Sequence, residues 1–166
     1  MNNFQIFGLQ FALSTLVYAL IARWYIAPIL SKLPLRTALQ PLLLMHGLRG
    51  LGMTLLVTAV VSPEVPRAFA TQVAYGDLLA TGLALLALAG LRARWAFAPA
   101  IVWVFNLEGF ADLLLAFYNG VRLDVTRYQL GAAWYIPTFV VPALLVTHIM
   151  IFSMLIKRPA AGIRGG

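Results

Sequence analysis

Six side chains that carry charge or an imidazole lie inside long apolar runs: His46, Arg49, Asp77, Glu108, Asp112 and His148. A charge at a bilayer centre costs at least about 2.5–3.5 kcal/mol, so such groups turn toward a protein interior and find partners there. His46 and Arg49 are three residues apart, which places them on one helix face, and Met53 continues that stripe at α-helical spacing. Glu108 and Asp112 are four apart, with Phe105 and Asn119 extending the same face. Asp77 shares a face with Thr81, Trp134 and Thr138 lead down a stripe to His148, and Gln10, Ser14 and Tyr18 make a further polar seam. Counted from the basic ends of their runs, Arg49, Asp77 and Glu108 lie roughly 12 to 14 residues deep, at about 1.5 Å per residue. Asp112 is one turn beyond them. His46 and His148 share a shallower depth of roughly 8 or 9 residues.

One interior arginine cannot neutralise three carboxylates. The remaining carboxyl groups are therefore expected to hold a proton, meet water or pair with a ligand. The expected site is a polar pocket near the midplane lined by Arg49, Asp77, Glu108 and Asp112, flanked by His46, Asn106, Trp134 and His148. Its expected role is to bind or transport a small or amphipathic ligand, with Arg49 on an anionic or carbonyl group and Glu108 or Asp112 carrying a proton. Two alternatives use the same residues. A membrane enzyme of isomerase or cyclase type would use the carboxylates as acid and base on a lipophilic substrate. A haem- or pigment-binding or accessory subunit would use His46 and His148 as ligands of a b-type haem or a chlorophyll-type magnesium. The simplest reading is that the ions only fasten helices together, with Gly47, Gly50, Gly52, Gly76 and Ala80 allowing close packing.

The elements that hold these residues follow from composition. Of 166 residues 62% are hydrophobic and only 10% charged, with a formal net charge of +7. A soluble domain carries about 25% charged residues, so this chain cannot coat itself for water. The absence of cysteine excludes disulfide scaffolds and thiolate metal sites. There is no phosphate-binding glycine loop and no HExxH helix. No lysine lies inside an apolar run, which removes the usual retinal Schiff base. With only two histidines, a two-haem relay is excluded on ligand count. Nucleic acid has no candidate surface beyond the short basic tail.

The expected fold is all-α: a polytopic membrane protein with a single domain over 1–166 and five spans, at about 4–22, 37–61, 69–91, 95–118 and 130–156. A run of roughly 20 apolar residues suffices for each crossing. The neutral start Met1-Asn2-Asn3 and the lack of a small-residue cleavage site make the first run a span rather than a signal peptide. Residues 23–36, with Trp24, Tyr25 and Lys32, read as an interfacial segment, and 157–166 as a basic tail. Arg92-Ala93-Arg94 is so short a link that its flanking helices should be antiparallel neighbours.

Arg23, Lys32, Arg36, Arg92, Arg94, Lys157, Arg158 and Arg164 fall on one side, and Arg67, Arg122 and Arg127 on the other. The positive-inside rule then puts the N-terminus outside and the C-terminus in the cytoplasm, in an inner membrane. The expected partners are the bilayer, a small lipophilic ligand, and further copies or a larger membrane complex.

Overall fold

Asn2 starts the first helix by accepting a hydrogen bond from the Gln5 amide at 2.9 Å, while the Gln5 side chain accepts from the Asn2 amide at 3.1 Å. This reciprocal cap satisfies two donors that no helical carbonyl can reach. The computed structural model describes residues 1–157, so the basic tail expected beyond Lys157 lies outside the described residues. Helix α1 (Asn3–Ile21) runs through a π turn (Ala22–Ile26) into α2 (Ala27–Ser31). The helix thus continues through much of the stretch that hydropathy separates as interfacial. The wider π turn stands just before Pro28, whose missing N–H and bulky ring disturb regular α pairing.

Next come α3 (Leu35–Met45) and a 3-10 helix (His46–Leu56), then α4 (Arg67–Arg92) and α5 (Ala98–Arg122). The last crossing-length segment begins with a 3-10 turn (Gly131–Trp134), passes through a π turn (Ile136–Val140) and finishes as α6 (Val141–Lys157). Pro137 lies in the π turn and Pro142 in the first turn of α6, and each removes a backbone donor. The fold is all-helical, with no strand among the described residues. Four helical stretches are long and apolar enough to cross a membrane: Asn3–Ser31, Arg67–Arg92, Ala98–Arg122 and Gly131–Lys157.

The segment expected as a second regular span is instead half α and half 3-10. A 3-10 helix rises about 2.0 Å per residue, and runs beyond 3–4 residues are uncommon. Here Gly47, Gly50 and Gly52 weaken α propensity, and the glycines relieve the eclipsing of side chains three residues apart. The three-residue turn also changes which residues share a face. His46, Arg49 and Gly52 are buried in a strict period of three, whereas Met53 is 45% exposed. The α-helical stripe expected through Met53 is therefore replaced by one through Gly52 and Leu55.

The Arg92–Arg94 link behaves as its length predicts. Arg94 takes a left-handed conformation (φ 59°), and the Trp95 amide donates back to the Gly90 carbonyl at 2.9 Å. This is the geometry that ends a helix while satisfying its last carbonyls. Gln72 meets Asn119, and Gly76 meets Asp112, so α4 and α5 pack antiparallel. Arg36 donates to the Leu91 carbonyl at 3.1 Å, closing the same end of α4. Helices α1 and α6 run parallel: Phe7 packs on Trp134, Tyr18 on Phe139, and Ala27 and Lys157 border one cleft further along.

Two apolar cores result. One joins α3, α4, α5 and α6 toward the end that carries Arg36, Arg92 and Lys157. The other, toward the opposite end, gathers Val61, Val65, Phe69, Val73, Val125 and Leu130. Loops at that opposite end are tied by the Ser62 amide donating to the Gln129 carbonyl at 2.8 Å. At Gly131 (φ 52°) a Cβ would run into the Val60 carbonyl, so glycine is required there on both counts.

Candidate functional site

Between the two cores, four helices deliver one buried ionic cluster. Arg49 projects from the 3-10 helix and is 1% exposed. Its Nε donates to Asp77 Oδ1 of α4 at 2.7 Å, and its Nη2 to Asp112 Oδ2 of α5 at 2.5 Å. Nη1 donates to the Gly109 carbonyl at 2.8 Å and stands 3.5 Å from Nε2 of His148 on α6. All three guanidinium nitrogens thus face protein acceptors. Two carboxylates, a backbone carbonyl and an imidazole thus surround the guanidinium that the sequence expects to meet an anionic or carbonyl group of a ligand.

His148 is oriented by Asn106, and both are fully buried. The Asn106 Nδ2 donates to the His148 carbonyl at 3.2 Å, and Asn106 Oδ1 lies 2.7 Å from His148 Nδ1. A carbonyl only accepts, so it fixes which way the amide points. Oδ1 then requires a proton on Nδ1, and the lone pair of the neutral ring faces Arg49 from Nε2. The same logic applies to His46. Thr147 donates its hydroxyl to the Leu144 carbonyl at 2.9 Å, so its oxygen accepts from His46 Nε2 at 3.0 Å. His46 Nδ1 is buried without a partner.

Glycines make room for the charges. A Cβ on Gly52 would overlap the Asp77 carboxylate, and one on Gly76 the Asp112 carboxylate. At Gly109 it would lie 2.9 Å from both Arg49 Nη1 and His148 Cε1. Sequence reading assigned Gly52 and Gly76 to close helix packing and did not single out Gly109. Nearness in sequence to a charge does not single them out, since Gly47 and Gly50 lie as close to Arg49. Gly47 and Gly50, by contrast, have open space or ordinary contact.

The expected site residues divide into three groups. Arg49, Asp77, Asp112, His148, Asn106 and His46 are brought together. Glu108 is one turn from Asp112 but forms no ion pair with Arg49, and its buried Oε2 has no hydrogen-bond partner. Trp134 stands apart: its Nε1 donates to Gln10 Oε1 at 2.7 Å, and its ring meets Phe7 at 5.7 Å, edge to face. It braces α1 rather than touching the ions.

A cavity of about 70 Å³ opens beside the cluster on the side away from the basic end. Its wall is apolar, with Phe7, Leu55, Phe69, Val73, Leu113 and Phe117 among its residues, and Asp77 is its one charged member. The carboxylate that binds Arg49 therefore also meets the cavity.

The haem alternative does not fit. His46 and His148 do share a depth, but their ring centres are only 4.2 Å apart. An iron held between two axial imidazoles needs metal–nitrogen bonds of about 2 Å on each side plus the rings' own radii. Both rings are fully buried, His148 packs on Phe105 and Phe110, and neither histidine lines the cavity. Among the described residues no group of three or more His, Cys, Asp or Glu side chains is placed to hold a metal ion.

The family described as Domain of unknown function (DUF8737) matches residues 6–156. No curated protein matches the chain, and no solved structure does.

Proposed function

The chain belongs to that DUF8737 family, and with no activity in the family's description we propose, from the site itself, that this membrane protein binds or moves a small lipophilic or amphipathic ligand. The observation that carries the reading is an apolar cavity whose one charged wall residue, Asp77, is also a partner of Arg49. A ligand that enters from the hydrocarbon meets matching apolar walls, and a single donor group on it reaches the carboxylate. Any change at Asp77 is felt by Arg49, and through it by Asp112 and His148. Three carboxyl groups face one guanidinium, so the cluster approaches neutrality by holding protons, and Glu108, without a cation of its own, is the carrier in our reading. Proton coupling follows if ligand entry at Asp77 changes how many protons the cluster holds.

The same reading takes the chain across an inner membrane five times, with the N-terminus outside. The parallel course of α1 and α6 supports it, because an odd number of crossings must then lie between them. The stretch Leu35–Leu56 is long enough to make the fifth crossing, roughly 38 Å from 11 residues of each helix type. A C-terminal reporter active only outside the cytoplasm would overturn this orientation.

Mass spectrometry of lipophilic compounds extracted from the purified protein tests the binding reading. The parent and Asp112→Asn should retain a compound that Asp77→Asn loses, with the three proteins unfolding at similar temperatures. Equal retention by both variants, or no retained compound in the parent after purification from its native membrane, would remove the reading.

A further inference from the structure

A second cleft, of about 490 Å³, lies between the α1–α2 helix and α6, at the basic end and away from the ionic cluster. Arg23 and Lys157 border it, and both are exposed. Ala19, Ala22 and Ala27 form one wall at helical spacing, and their small side chains leave the seam between the parallel helices open. Val146 and Met150 continue the apolar surface on α6 toward the middle of the bundle.

We propose that this cleft binds an anionic phospholipid, with the headgroup phosphate between Arg23 and Lys157 and an acyl chain along the alanine seam. Three observations carry it. Neither cation forms an ion pair among the described residues. The five carboxylates, Glu64, Asp77, Glu108, Asp112 and Asp124, all lie in the buried cluster or the loops of the opposite end, so none competes for these cations. Trp24 and Tyr25, next to Arg23, are 59% and 65% exposed, which sets the rim of the cleft at the depth where amphipathic rings meet headgroups. Basic pockets between membrane helices at that depth suit lipid phosphates. The apolar seam below the cations selects a lipid over a free anion. This site is independent of the cavity at Asp77 and stands or falls separately.

The test is native mass spectrometry of the full chain released from mixed phosphatidylglycerol and phosphatidylcholine nanodiscs. Two cations, each worth about fivefold near a headgroup, should favour retained phosphatidylglycerol by about 25-fold. Arg23→Gln with Lys157→Gln should bring that ratio close to one. The charge-keeping swap Arg23→Lys with Lys157→Arg should preserve it, as should Arg92→Gln with Arg94→Gln, which removes equal charge from the same end. Excess inorganic phosphate should leave the bound lipid in place. A ratio near one in the parent, which needs no variant, would overturn the proposal. So would an equal loss in the Arg92/Arg94 variant, or displacement of the lipid by inorganic phosphate.

Discussion

The two halves of the bundle, on either side of the ionic cluster, are packed differently. Toward the basic end Leu39, Leu43, Leu91, Val102, Phe105 and Ile151 are all fully buried, and the helices around them are regular. Toward the opposite end Val65, Phe69 and Val73 retain 6–9% exposure, and the 70 Å³ cavity lies among such residues. The irregular backbone is concentrated on that side: Leu55 of the 3-10 helix, Ala133 of the 3-10 turn and Ile136 of the π turn all line the cavity. Where a helix changes its pitch, its side-chain rows no longer interlock with a neighbour's, and space remains. Non-α backbone inside a membrane is tolerated where protein or a cavity surrounds it. The π turn Ala22–Ile26 borders the second cleft. The cavity beside the ionic cluster is therefore an internal gap of the irregular half, whereas the second cleft opens between the α1–α2 helix and α6 at the rim of the regular half.

The strongest way to break this contrast is to remove the charge at the boundary. Arg49→Leu leaves Asp77 and Asp112 buried without a cation, a cost of about 3–5 kcal/mol for a desolvated pair. Thermal unfolding in detergent should show a far larger loss for Arg49→Leu than for Glu108→Gln or Asp112→Asn. A loss below about 1 kcal/mol, the scale of a solvated pair, would mean that the cluster is not a coupled interior unit.

The contrast is sharpened by comparing two leucines. Leu39→Ala in the closed half should cost about 2–3 kcal/mol, largely as lost packing, since lipid provides little hydrophobic drive between helices. Leu113→Ala in the cavity wall should cost less than half of that and admit a bulkier ligand. Equal losses in unfolding free energy would show the two halves to be equally packed.

A smaller effect separates the glycines. Gly109→Ala places a methyl against Arg49 and His148 and should cost about 1–3 kcal/mol, as overpacking does. Gly50→Ala meets open space and should be neutral within about 0.5 kcal/mol. Matching melting temperatures for the two variants would deny the glycines their role as cradles. Smaller than the Gly109 effect, Trp134→Phe keeps a ring beside Phe7 but loses the bond to Gln10, costing about 0.5–1.5 kcal/mol. That loss should appear as faster proteolysis near the start of α1 with little change at the cluster.

Helical class and the antiparallel α4–α5 pair were legible in the sequence. Each rests on local or one-dimensional information: hydropathy over roughly 20 residues, spacing along one helix, and the length of one link. That Arg49 needs carboxylate partners followed for the same reason, because an isolated charge in hydrocarbon must be compensated; that they are Asp77 and Asp112 rather than Glu108 did not. What only the tertiary structure decided is how completely, and by whom. Gly109 offers its carbonyl to Arg49, Asn106 orients His148, and Glu108 is left outside the ion pairs, and none of this follows from depth alone. It depends on helix rotation, which packing sets. The change from α to 3-10 at His46 is the clearest case. Both helix types place His46 and Arg49 on one face, but a turn of three residues rather than 3.6 brings Gly52 and Leu55 inward and turns Met53 out. The sequence carries both periodicities over so short a stretch, and what the three-residue turn brings inward is Gly52, whose missing Cβ leaves room for the Asp77 carboxylate.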